Sequence, residues 1–416
     1  MSEREQLLKW IAEEEEAIIG FFQEFVRRPS PNPPGDTTEA VAHIKGFLDS
    51  NDLAYRIIDP QPLFANVVAS FDAPSEGRHL VLNGHIDVFP VGEDPDAEGW
   101  TTDPWGGEIR DGKLYGRGSC DMKAGTSASI WTYALLHRIK DKLKGKLTLT
   151  CVSDEETFGP WGARYLMEHH PEVHGDCCLN GEPSSPYSIR FGEKGPIWLN
   201  FTIRTPGSHG AYTHGSASAT RIAAKLIGAL EALEDMAFDY PDNVRSALVE
   251  GQEAADIAMG EGASEILPKV TLNIGTIKGG LKVNMVPGEC SFEADIRLPV
   301  GVAKETVMAR VEEIAAGFPE ATFKEINCNL PSYCDPYGDM MGIIQKNVEN
   351  LKGFTPKPVV SLGGTDARLW RYIDVPAYVY GPFPTNMGAA DEYVEVEEYL
   401  HIVRTHVLSA YDYLTS

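Results

Sequence analysis

Asn83-Gly84-His85-Ile86-Asp87-Val88 and Gly116-Arg117-Gly118-Ser119-Cys120-Asp121-Met122-Lys123 decide how this chain is read. The first run closes an apolar segment, His79-Leu80-Val81-Leu82, that reads as a buried strand. His85 and Asp87 then fall two residues apart, on one side of extended backbone. A carboxylate so placed can hold the second ring nitrogen of a metal-bound histidine. Asp121 stands in a glycine-rich turn before a helical run from Lys123 to Leu136, and its two oxygens can bridge two cations. Alone, a His-x-Asp pair is an ordinary surface feature. The rest of the chain changes that.

A second apolar strand, Lys146 to Val152, runs into Ser153-Asp154-Glu155-Glu156-Thr157. Three adjacent carboxylates repel one another, which a solvated loop tolerates and a cation relieves. Neighbouring glutamates point different ways, so one can bind metal while the other handles protons. A third short apolar run precedes Asn180-Gly181-Glu182-Pro183-Ser184. His85, Glu156 and Glu182 thus follow the C-terminal ends of strands, where open α/β sheets place their ligands. One histidine with carboxylates and no cysteine favours a catalytic zinc, cobalt or manganese over a structural zinc.

The order of these pieces resembles the M20 family of metal-dependent peptidases and amide hydrolases. That group includes succinyl-diaminopimelate desuccinylases, acetylornithine deacetylases, aminoacylases and glutamate carboxypeptidases. The resemblance runs from about Leu7 to the C-terminus. It rests on Gly84-His85-Ile86-Asp87, Leu114 to Lys123, Asp154-Glu155-Glu156, Gly181-Glu182-Pro183-Ser184 and Gly363-Gly364-Thr365-Asp366-Ala367-Arg368. It implies that His85 and Glu182 bind one metal and that Asp121 bridges to a second, also bound by Glu156. It further implies that Asp87 orients His85 and that Glu155 is the general base. The implied fold is α/β, a zinc-aminopeptidase-like catalytic domain carrying an inserted α+β (ferredoxin-like) lid and dimerisation domain.

One position departs from the pattern. The family takes a histidine for the second metal from a loop near the C-terminus, four residues before a glutamate. Here Glu392 is present, but the histidine position holds Gly388. No histidine lies between His214 and His401. Three explanations stand: one metal suffices, a neighbour such as Asn386, Met387 or Asp391 fills the gap, or the chemistry has changed. One tightly held metal, with the second site weak or empty, is the favoured expectation.

The chain has 416 residues and a formal net charge of −25, from 61 acidic and 36 basic residues. Such acidity argues against nucleic acid and against an anionic membrane surface. No apolar run approaches the ~18 residues of a membrane span, and the charged N-terminus does not read as a signal peptide. The seven cysteines have no framework spacing and read as reduced thiols of a cytoplasmic protein.

Helical pattern covers Glu3 to Arg27 and Thr38 to Asn51, and strands then alternate with helices to about Glu193. From Pro196 the order is strand, helix, strand, strand, helix, strand, a small α+β sandwich. The expected division is 1–195 and 331–416 for the catalytic domain, with 196–330 inserted. Phe238 to Leu267, long and acidic, reads as a surface loop with short helical pieces.

For substrate handling, the resemblance implies that His209 reaches into a partner subunit's site and stabilises the oxyanion. Tyr212 is taken as a substrate contact beside it. Arg297 is implied to meet a substrate carboxylate and Asn284 to lie near the same site. The Gly363-Gly364-Thr365 turn offers N–H groups and a hydroxyl to an anionic substrate end. Lys194 reads as a surface lysine. The expectation is therefore a homodimeric hydrolase of an amide C–N bond in an N-acyl amino acid or short peptide. Its rivals are a mononuclear hydrolytic deaminase and a non-catalytic binding protein.

Overall fold

The computed structural model describes residues 1–416. Its larger sheet has nine strands. Ser75–His85 runs parallel to Lys144–Val152 on one side and to Cys177–Asn180 on the other. Ala377–Val379 continues the parallel set beyond Cys177–Asn180, and Ser188–Glu193 lies next to it. Strict period-two alternation divides the side chains between two layers. Leu80, Leu82, Leu147, Leu149 and Leu179 enter the main core beneath helices Ala124–His137 and Val396–Thr415. Val81, Val152, Cys178 and Val379 face a smaller core with Trp370 and Leu166 on the other side.

The second sheet is antiparallel, in the spatial order Thr271–Gly279, Glu289–Leu298, Gly195–Arg204, Ala321–Cys328. Ile197, Leu199, Phe201 and Ile203 alternate inward, as do Cys290, Phe292, Ala294 and Ile296 from the neighbouring strand. Phe201 and Phe292 stack with ring centroids 4.7 Å apart. Helices Ala219–Leu230 and Lys304–Ala316 close this core with Ala223, Leu226, Val307 and Val311. This is the α+β unit, set into an α/β chain that supplies the larger sheet from both sides of it.

Three expectations need correction. The N-terminal helix is two helices, Glu3–Glu13 and Glu15–Val26. The break falls in the run Glu13 to Glu16, where like charges crowd and Glu14 turns out to pair with Arg138. The acidic linker carries the short helical pieces expected of it, Asp242–Glu250, Gln252–Met259 and Ala263–Ile266, but it is not a surface loop. Its alanines, Ala247, Ala254, Ala255 and Ala258, are buried. A Cβ on Gly251 would strike the Pro358 carbonyl, so the junction between the first two helices lies tight on strand Lys357–Ser361. Lys194 is buried, and its ammonium donates to the carbonyls of Ile266 and Lys269 at 3.0 and 2.7 Å. It is a clamp on the end of that segment, not a surface charge.

His401 and His406 are buried on the last helix. His406 Nε2 donates to the Tyr380 carbonyl at 2.7 Å, and His401 Nε2 lies 2.8 Å from the Tyr380 hydroxyl. Burial pushes His401 down to about 3 and His406 to about 4. The unfolded chain accepts these protons near pH ~6.5. Stability is therefore full above that pH and is lost as pH falls toward 4, because only the unfolded state gains protons there. The urea midpoint is expected to drop across this window, and to drop less for His406→Gln. An unchanged pH slope in that variant would refute the assignment. No helix is long and apolar enough to cross a membrane.

Candidate active site and metal centre

Parallel register brings three exits to one edge of the sheet. His85 lies opposite Val152, and Asn83 opposite Asn180. Glu155 and Glu156 follow the first partner strand, and Glu182 follows the second. A buried amide ladder sits below: Asn83 donates to Thr150 at 3.1 Å, Asn180 donates to Asn83 at 2.9 Å, and the Glu182 N–H donates to Asn180 at 2.8 Å. These bonds fix where Glu182 leaves the sheet.

His85 Nε2 lies 3.2 Å from an Asp121 oxygen and 3.3 Å from a Glu182 oxygen. One ligand atom from each of the three residues lies within 4.8 Å of the other two. His85 Nδ1 meets the Asp87 carbonyl at 2.8 Å, whereas the Asp87 carboxylate stands 3.7 Å away. That carboxylate instead accepts from Asn32 Nδ2 at 2.9 Å and from the N–H groups of Glu155 and Glu156 at 3.3 and 3.1 Å. So Asp87 orients the imidazole through its backbone and ties the Glu155-Glu156 turn through its side chain.

Glu155 is buried, and burial, reinforced by the Asp366 carboxylate, pushes its pKa well above the carboxylate range. Arg368 Nη1 stands 3.5 Å from it. Glu156 Oε1 is buried without a hydrogen-bond partner. Burial and then the Asp121 charge push Glu156 up as well. One imidazole, three crowded carboxylates and no thiolate, with an orphaned acceptor among them, is a donor set that fits a divalent cation.

The C-terminal loop holds the Asp121 turn. Glu392 accepts the N–H groups of Cys120 and Asp121 at 2.9 and 3.1 Å and pairs with Arg117 at 2.6 Å. Gly388 has φ +73°, and its carbonyl accepts from Arg117 Nη2 at 3.1 Å. The Asp391 carboxylate is consumed by Thr101 and Thr102. It is therefore no substitute for a histidine. Asn386 and Met387 line the cleft.

The cleft beside Asp121 and Glu182 encloses about 630 Å³, and Arg190, Ile257, Met259, Gly364 and Thr365 also line it. His209, Tyr212, Asn284 and Arg297 do not. His209 is exposed and accepts from the Ala211 N–H at 3.2 Å, and Tyr212 is 59 % exposed. Asn284 is exposed, and Arg297 forks onto Asp295 at 3.0 Å. The glycine turn also differs from expectation. The Thr365 N–H and hydroxyl already donate to Glu193, at 3.0 and 2.8 Å, so neither is free for an anionic substrate. Sequence reading missed Glu193, Asn32 and Arg190 here. Their partners are 55 to 178 residues away for Asn32 and Glu193, and no local spacing announces them.

The profile of peptidase family M20/M25/M40 matches residues 81–411. A succinyl-diaminopimelate desuccinylase of Cereibacter sphaeroides is 28% identical over 392 residues, which cover 91% of this chain and 94% of that one. Among solved structures, the M20 family metallo-carboxypeptidase Sso-CP2 of Sulfolobus solfataricus superposes with a TM-score of 0.80 at 18% identity, covering 96% and 99% of the two chains. The YXEP protein of Bacillus subtilis, described as a dinuclear metal-binding peptidase, gives 0.66 at 18% identity, covering 96% and 98%. With the metal-type donor set at the edge of its sheet, the chain belongs to peptidase family M20 and is a metal-dependent hydrolase of amide bonds.

Proposed function

We propose that the substrate is an N-acyl amino acid or short peptide and that one cation, zinc, cobalt or manganese, is held tightly by His85, Asp121 and Glu182. The convergence of His85 Nε2 on two carboxylates at 3.2 and 3.3 Å, beside the buried Glu155, carries this reading. A second cation, which Asp121 and Glu156 would hold, would be bound weakly, because Gly388 offers no side chain as a further ligand. When bound, the cation would supply Lewis acidity toward the amide carbonyl and toward water. Glu155 takes a proton from water and delivers it to the leaving nitrogen. Asp87 keeps the turn that carries Glu155 in register with His85.

Support for the oxyanion comes from a second copy of the chain. His209, Tyr212, Asn284 and Arg297 lie outside their own cleft, and next to them is unpartnered apolar surface. Leu281 is 91 % and Val283 99 % exposed. A homodimer through the inserted domain covers that surface and carries His209 to the other cleft. All seven cysteines are free thiols, which favours the cytoplasm.

Elemental analysis after gentle dialysis, paired with assays on N-acyl amino acids and dipeptides, tests the reading. The expected result is one cation per subunit and release of free amine. Two cations per subunit would overturn the mononuclear reading, and no hydrolysis across both substrate classes would overturn the substrate assignment.

A further inference from the structure

Arg190 lies in strand Ser188–Glu193, between Ile189 and Phe191 of the main core. That strand is bordered by Lys357–Ser361 and Ala377–Val379, so it is internal to the sheet. Alternation sends Arg190 away from the core side and into the cleft wall, where it is 8 % exposed. The other buried arginines of the site each hold a partner, although Arg117 Nε, Arg368 Nε and Arg371 Nη2 are left without one. Arg368 bonds the Thr365 carbonyl and faces Glu155, Arg371 pairs with Glu193 at 3.1 Å, and Arg117 pairs with Glu392. Arg190 makes no such bond. The charges of Glu182, Glu193 and Asp121 reach it only through space.

The side chain is buried, its guanidinium holds no partner and it opens on the cleft, an arrangement that an anion entering the cleft would complete. Glu182 and Asp121 do not serve once they hold a cation, since their charge is then spent on it. Nor does the glycine turn compete for the anion, because the Thr365 donors are taken by Glu193. Ile257 and Met259, from helix Gln252–Met259, also line the cleft. Apolar walls strengthen an ion pair formed between them.

We propose that Arg190 is the anchor for a substrate carboxylate, contributed by the same chain that holds the cation. The inference rests on the amide-hydrolase reading for its setting. The planar fork suits a carboxylate held by two parallel bonds. The carboxylate belongs either to the acyl half or to the amine half of the substrate, and both are tested.

The experiment compares the metal-loaded wild type with Arg190→Met and Arg190→Lys. N-succinyl-alanine is set against N-butyryl-alanine, and N-acetyl-alanine against N-acetyl-alanine amide. Succinate binding is followed by calorimetry, independently of turnover, and metal content is measured in parallel. Wild type is expected to prefer the anionic member of at least one pair. Arg190→Met should abolish that preference, raise KM by about 10–100-fold and weaken succinate to a similar degree. Arg190→Lys should recover part of both, with metal content unchanged throughout. Preference and succinate affinity both staying within about twofold of wild type in Arg190→Met would overturn the proposal. So would metal loss in step with affinity, which would make Arg190 a support of Glu182. Arg190-dependent succinate binding with no hydrolysis of any amide would uphold the anchor and sink the hydrolase reading instead.

Discussion

Glu155→Gln is expected to lower kcat by about 10²–10⁴-fold, the range that a positioned general base contributes. The exchange conserves volume and removes only the ability to take a proton. Glu155 is not one of the three converging residues, His85, Asp121 and Glu182, so metal content should not change. Nor should the protein be less stable. The Asp366 charge disfavours ionised Glu155, and a neutral amide removes that repulsion. Arg368, at 3.5 Å, keeps the Thr365 carbonyl as a partner. KM should move little, since the proton transfer belongs to the transition state. A fall in kcat of less than about tenfold, with the metal retained, would remove Glu155 from the chemistry.

His209→Ala should cost about 10²–10³-fold in kcat, as loss of one oxyanion donor does. The side chain is exposed in its own subunit, so stability and metal content should hold. The sharper result comes from mixing. Co-expressed with Glu155→Gln, the His209→Ala chain should regain activity that neither variant has alone. Half the dimers are mixed, and each mixed dimer carries one site with both groups intact, giving about a quarter of wild-type activity. Absence of recovery in verified mixed dimers would place His209 in its own subunit's chemistry or outside catalysis.

The parts legible in the sequence are those whose signal is local. Leu80 and Leu82 alternate with Val81, and the strand they predict ends at His85 as observed. The inward residues of Gly195–Arg204 likewise announce a half-covered sheet. Glu155, Glu156 and Glu182 could be picked out because each follows an apolar run directly. Glu193 could not, since its role depends on Thr365 and Arg371, more than 170 residues further on. Arg190 carried no motif, only an odd charge inside an apolar strand, and its meaning appears when the neighbouring arginines are seen to be paired. Segment 238–267 misled for another reason. Its helices are too short to be stable alone, so their order and burial come from docking on strand Lys357–Ser361.

Glu392 gives the site a place in the life of the nascent chain. The residues that converge as ligands are all made by residue 182, yet the Asp121 turn is held by N–H bonds to a side chain 271 residues downstream. A ribosome therefore releases the whole ligand set long before the bond that shapes it can close. For the proposed cation site, capture in the final geometry would wait for the end of synthesis, and a chain clipped ahead of Glu392 would keep all three converging residues while losing the frame that sets them.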